Sequence, residues 1–205
     1  MTKKDKKTEE IILQSAEKVF FEKGYAGAKT TEIAKNSGVG HAMLHYYFRT
    51  KENLFQIVFE RNVELLTNSV FSGLEKQGSF KEIIISLISN HFDFVRNNPK
   101  LVLFIINEIN RNNNNNTIWK EVSAPILTKV SAQITERINK EKKTGNIRDI
   151  DPFNFIVTII SLNLFVFVAH PLINNIKHFT KKEYEAFLER RKQENIRLVL
   201  MALQP

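Results

Sequence analysis

The chain of 205 residues contains no cysteine, and that absence removes disulfides, thiolate nucleophiles and cysteine-based zinc sites. It suits a reducing compartment, so the cytoplasm is the expected location. Glycine and proline are scarce, at seven and five. Few turns are therefore encoded, and the apolar residues recur at helical rather than alternating spacing, which predicts an all-α fold. The isoleucine run 83–85 sits in a longer pattern with Leu87, Ile88, Phe92 and Val95 that fits a helix better than a strand. Long hydrophobic runs are also missing. The most apolar stretch, 153–169, is shorter than a membrane span and is interrupted by Asn154, Thr158, Ser161 and Asn163, so it reads as a buried helix and no membrane partner is expected. The N-terminal MTKKDKKTEE lacks the apolar region of a signal peptide.

What is present is an ordinary globular composition, 42% hydrophobic and 25% charged, with a net charge of +8. A moderate positive excess favours polyanions. It does not locate a site, because residues 1–55 carry ten Lys and Arg against seven Asp and Glu, an excess of only three.

A first helix is expected from Thr8, with Glu9 and Glu10 in its first turn, to Lys23, stopping at Gly24 and burying Ile12, Ala16, Val19 and Phe20. A short helix opens near Thr30 and carries Ile33 and Ala34. The turn Gly38-Val39-Gly40 follows, then another short helix through Tyr46 or Tyr47. A long helix starts from Thr50 as N-cap and runs toward Gly73. Later helices are predicted near 80–97, 100–111, 118–143, 152–170 and 181–203, separated by Pro99, the asparagine run 112–116, Gly145, Pro152 and Pro171. The asparagine run reads as a polar loop.

Two short helices around a sharp turn can place the N-terminal side chains of the second against base edges in the DNA major groove while the first crosses the backbone. Gly38 supplies the permissive turn, and Val39 the apolar plug between the helices. The segment ILQSAEKVFFEKGYAGAKTTEIAKNSGVGHAMLHYYFRTKENLF resembles the N-terminal domain of the tetracycline-repressor (TetR) family. The resemblance rests on Phe20 with Gly24-Tyr25, Ile33-Ala34, Gly38-Val39, Leu44, Tyr47-Phe48 and Lys51-Glu52-Asn53-Leu54. Departures from the family pattern are Ala28 and Lys29 in place of two hydroxyl residues, Gly40 in place of serine, and His45 in place of tyrosine.

The resemblance implies an all-α protein with a three-helix helix-turn-helix DNA-binding domain over about 6–66 (motif about 29–48) and a larger helical ligand-binding and dimerisation domain over 67–205. Helices 152–170 and 181–203 would form the dimer. By resemblance and geometry together, Thr30, Thr31, His45, Tyr47 and Lys51 are candidate phosphate contacts. Gly40, His41, Ala42, Met43 and Tyr46 are candidate base contacts, with Ala42 and Met43 suited to thymine methyl groups. One of Tyr46 and Tyr47 should face DNA and the other the interior. Tyr25, Leu44 and Phe48 read as core.

His41 and His45, at i and i+4, share a helical face that could in principle hold a metal, but no metal is expected. The metalloprotease pattern fails because Ala42 stands where glutamate is needed. A dinucleotide fingerprint from Gly38 and Gly40 fails at Met43. No enzyme and no cofactor are expected. In the body, His91, Phe104, Asn107, Glu108, Trp119 and Asn163 are candidate ligand-pocket residues, as polar or aromatic points along apolar helices. The expected function is a bacterial, dimeric DNA-binding regulator, a repressor released from a palindromic operator by an unknown small molecule. A regulator controlled by a protein partner is the alternative, with a small-molecule enzyme or binding protein the more distant one.

Overall fold

The computed structural model describes residues 3–74, 78–111 and 124–205, and among these the chain forms ten helices and no strand. They are α1 (Lys3–Gly27), α2 (Thr30–Ser37), α3 (His41–Phe48), α4 (Lys51–Leu74), α5 (Phe80–Asn97), α6 (Pro99–Arg111), α7 (Ala124–Lys143), α8 (Pro152–Val168), α9 (His170–Lys177) and α10 (Lys181–Ala202). Two compact units result. The first holds α1, α2, α3, α4 to Glu64, and α6 from Lys100. The second holds the rest of α4, α5 and α7 to α10.

In the first unit α1 begins five residues before the expected cap at Thr8. Asp5 lies in its first turn, where a carboxylate favours the helix dipole, and it also accepts a hydrogen bond from Tyr47. Gly24 breaks the helix as expected, with φ 63° and ψ 178°, although helical turns resume as far as Gly27. The core contains Ile12, Ala16, Phe20, Ile33, Leu44, Phe48, Leu54 and Val58, each buried. Full burial of the side chains larger than Ala16 contributes about 1.5–3 kcal/mol apiece. Phe20 meets Phe55 edge-on at 5.1 Å, and Phe104 of α6 lies 5.0 Å from Phe21 and 5.7 Å from Phe55. Arg61 of α4 closes on Glu10 of α1 through two hydrogen bonds of 2.8 Å.

In the second unit Leu74, Ile84, Leu87, Ile88, Ile138, Phe155, Ile159 and Val199 belong to one buried cluster. Helix starts are set by side chains. Ser79 with Glu82 and Thr180 with Glu183 form capping boxes, and Asp151 accepts from the Asn154 N–H at 2.7 Å, with Pro152 opening α8. Gly73 has a packing role: a Cβ there would stand 3.0 Å from the backbone of Leu87, so α4 and α5 approach closely only because it is glycine. Part of the charged side of α10 is engaged with α5, where Lys192 meets Asp93 at 3.0 Å and Arg96 bonds Glu185. The expected solvated charged face is thus partly an inter-helix contact.

The predicted helix over 152–170 ends at Val168, and a short helix absent from the sequence reading, α9, precedes α10. Exposed apolar residues recur along α8 every three to five residues, Phe153 (67% exposed), Val157, Ile160, Phe165 (63%) and Val168, beside exposed Asn154, Thr158 and Ser161, and Leu198 and Met201 of α10 are exposed as well. Among the described residues no single helix is long and apolar enough to cross a membrane.

Candidate nucleic-acid interface

The turn between α2 and α3 follows from three residues. Gly38 takes the left-handed conformation, φ 70° and ψ 17°. The Val39 N–H then bonds the Ala34 carbonyl at 3.1 Å and the Gly38 N–H bonds that of Lys35 at 3.2 Å, which closes the end of α2. Gly40 returns to extended backbone and serves as N-cap of α3 without a side-chain bond.

From that cap α3 presents two sides. Leu44 and Phe48, four residues apart, are buried. His41, Ala42, Met43, His45 and Tyr46 are exposed, Tyr46 by 77%. A large aromatic and a methionine so exposed on a short helix are poorly explained by packing and suit a surface that is covered when a partner arrives. The two tyrosines separate as anticipated. Tyr46 stands outward, while Tyr47 is half-buried and donates its hydroxyl to Asp5 at 3.3 Å.

The imidazoles of His41 and His45 meet edge to face at 4.5 Å. His41 Nε2 lies 3.0 Å from Thr30 Oγ1, which ties the start of α3 to the start of α2. His45 Nδ1 lies 2.7 Å from the Arg49 carbonyl, an acceptor only, so the proton sits on Nδ1. Thr31 is exposed beside Thr30. At the next junction Thr50 Oγ1 accepts from the Asn53 N–H at 3.1 Å, capping α4 as expected. Lys51 Nζ lies 4.5 Å from the centroid of the Tyr25 ring. Arg49 was not singled out from the sequence. It is exposed between α3 and α4 with φ 60°, and its placement in the Arg-Thr-Lys run beside Lys51 was the available signal.

The geometry is that of a helix-turn-helix, and residues 12–58 match the family model described as "Bacterial regulatory proteins, tetR family". Over residues 12–58 the chain resembles the tetR family. Over 89% of its length it is 23% identical to a probable HTH-type transcriptional regulator of Bacillus subtilis, YttP, of which it also covers 89%. Among solved structures, that of a HlyIIR mutant is 25% identical, with a TM-score of 0.68 and coverage of 98% of this chain and 97% of that one. AibR in complex with isovaleryl coenzyme A and operator DNA has a TM-score of 0.73 at 19% identity, covering 97% and 99% of the two chains. FadR of Bacillus subtilis in complex with stearoyl-CoA has a TM-score of 0.68 at 17% identity, covering 95% and 98%. With the tetR match over the helix-turn-helix, the chain is a DNA-binding transcriptional regulator, and α2, the turn and α3 are its helix-turn-helix.

The candidate ligand residues of this regulator divide between the units. In the second unit His91, Asn163 and Asn195 are buried and joined. The Asn163 amide donates to the Ile88 carbonyl at 3.0 Å and to His91 Nδ1 at 3.1 Å, and its Oδ1 accepts from Asn195 at 3.0 Å. Burial holds the His91 imidazole down, to a pKa of about 4. The Asn195 Oδ1, which the sequence reading did not consider, is buried without a hydrogen-bond partner. In the first unit Phe104 packs among phenylalanines, Glu108 is 2% exposed and accepts from the Tyr25 N–H at 3.0 Å, and Asn107 is exposed. Trp119 lies outside the described residues, as does the asparagine run.

Proposed function

We propose that the protein is a homodimeric, cytoplasmic repressor that reads a palindromic operator with α3 and releases it on binding a small molecule. The observation that carries the reading is the two-sided α3: Leu44 and Phe48 anchor it, while His41, Ala42, Met43, His45 and Tyr46 stand exposed. Gly40, His41, Ala42, Met43 and Tyr46 contact bases. Thr30, Thr31, His45 and Lys51, together with Arg49, contact phosphates, while Tyr47, the inward tyrosine, is held by Asp5.

Dimerisation is supported by the apolar stripe of α8 with Leu198 and Met201 of α10. Two-fold pairing through those helices sets two copies of α3 about one DNA turn, roughly 34 Å, apart. Effector binding and dimerisation belong to the body that follows the DNA-binding domain, with His91 and Asn163 as its candidate pocket residues. Coenzyme A thioesters are the first class to test as effectors, since two structures of similar fold hold them. An effector acts only through its differential affinity for the free and DNA-bound states, typically about 1–3 kcal/mol.

The test is selection of bound sequences from random duplex DNA by the purified protein, followed by sequencing. A palindrome with half-sites about one turn apart is expected. Recovery of no sequence above background at low salt from folded protein would defeat the proposal. With the selected operator in hand, acyl-CoA titration should release DNA; equal effector affinity with and without operator would end the induction model.

A further inference from the structure

At Gly24 the backbone leaves the helical region, and the N–H of the next residue, Tyr25, is turned to an acceptor outside α1. That acceptor is Glu108 Oε1 of α6, at 3.0 Å, on a side chain only 2% exposed. A buried carboxyl oxygen is costly unless it is bonded, and the Tyr25 N–H supplies Oε1 with a donor. The contact therefore fixes where the end of α1 stands. Two further contacts set the Tyr25 ring: it meets Phe55 edge-on at 4.9 Å, and its hydroxyl donates to Glu52. Over that ring, 4.5 Å from its centroid, lies the Lys51 ammonium, at the first residue of α4.

A free lysine side chain has much rotamer entropy to lose when it settles on a phosphate. A ring that already holds the ammonium removes part of that cost before DNA arrives. We infer that Tyr25 and Glu108 are positioning residues for DNA binding: Glu108 on α6 seats Tyr25, and Tyr25 holds Lys51 ready for the DNA backbone. This assigns Glu108 to the DNA-binding unit and gives Tyr25 a role beyond core packing. The inference rests on the reading of Lys51 as a phosphate contact and deepens it.

The test uses the full chain and a labelled 30-base-pair duplex of arbitrary sequence, with affinity measured across a salt series. Lys51→Ala should lower the log–log salt slope by about 1 per protomer. Tyr25→Leu should weaken binding about threefold per protomer and add nothing further in the Lys51→Ala background. Glu108→Ala should weaken binding in the same way, and Glu108→Gln should restore it, because the amide oxygen accepts the same N–H. Additive losses of Tyr25→Leu and Lys51→Ala would overturn the role of Tyr25, and equal losses in Glu108→Ala and Glu108→Gln would overturn that of Glu108. A second readout needs no variant: in the free wild-type protein the Lys51 Hε protons should be shifted upfield by the Tyr25 ring current, and random-coil shifts there would also overturn the inference. If wild type binds no duplex at low salt, the DNA-binding reading fails instead, while the Lys51 shift still reports whether Tyr25 holds the lysine.

Discussion

Lowering the pH should destabilise the second unit through a single imidazole. His91 is buried, and Asn163 dictates its protonation state: the Asn163 amide must donate to the Ile88 carbonyl, which leaves its second N–H for His91 Nδ1. A proton on Nδ1 would face that N–H instead of accepting from it. Burial alone already holds the imidazole at a pKa of about 4, against an ordinary value of 6.5. A depressed histidine binds its proton more readily in the unfolded chain, so its contribution is present above the unfolded value and is lost as pH falls through the folded one. That difference amounts to about 3 kcal/mol in full, of which about 2 kcal/mol is lost between pH 7 and pH 5. The assay is urea unfolding followed by helical circular dichroism at the two pH values, for wild type and for His91→Gln, whose amide oxygen can accept from Asn163 without titrating. Wild type should lose about 2 kcal/mol more than the variant over that interval. Equal losses in both proteins would refute the reasoning.

Other consequences are open to direct measurement. Gly73→Ala should destabilise by about 1–3 kcal/mol, read as a lower unfolding midpoint, since the new Cβ meets the Leu87 backbone at 3.0 Å; an unchanged midpoint would show that the helices can part without cost. Within α3, Leu44→Ala should cost about 2–5 kcal/mol of stability. Tyr46→Ala should change stability by no more than about 0.5 kcal/mol yet weaken DNA binding, and unimpaired affinity would remove Tyr46 from the interface. Phe165→Glu places a charge in the exposed apolar stripe of α8 and should shift sedimentation toward the monomer at micromolar concentration while leaving helix content intact; a dimer of undiminished stability would move the interface elsewhere.

Much of the first unit was legible in the chain because its signals are local. Gly38 marks a turn whose left-handed conformation glycine adopts cheaply, Thr50 caps the helix it precedes, and Leu44 with Phe48 at i and i+4 define the side of α3 that must be covered. The start of α1 was read too late, because Thr8 is a good local cap whereas the contact of Asp5 with Tyr47 lies forty-two residues away. The helix α9 was missed for a related reason: Pro171 was read as a stop, yet proline is also accommodated in the first turn of a new helix.

Determined by the sequence itself, then, are the helical class, the helix-turn-helix and the residues with no apolar neighbours at helical spacing to bury them. These depend on periodicity and on backbone preferences of single residues, which act within a few positions. Only tertiary structure decided that Tyr46 stands outward while Tyr47 is tied to Asp5, and that α6 carries Phe104 and Glu108 into the first unit. The same holds for His91, which gives its acceptor nitrogen to Asn163. The physical reason is that a helical period says which side chains share a face and is silent on what covers that face. A buried polar group acquires its role from a partner that sequence distance does not reveal.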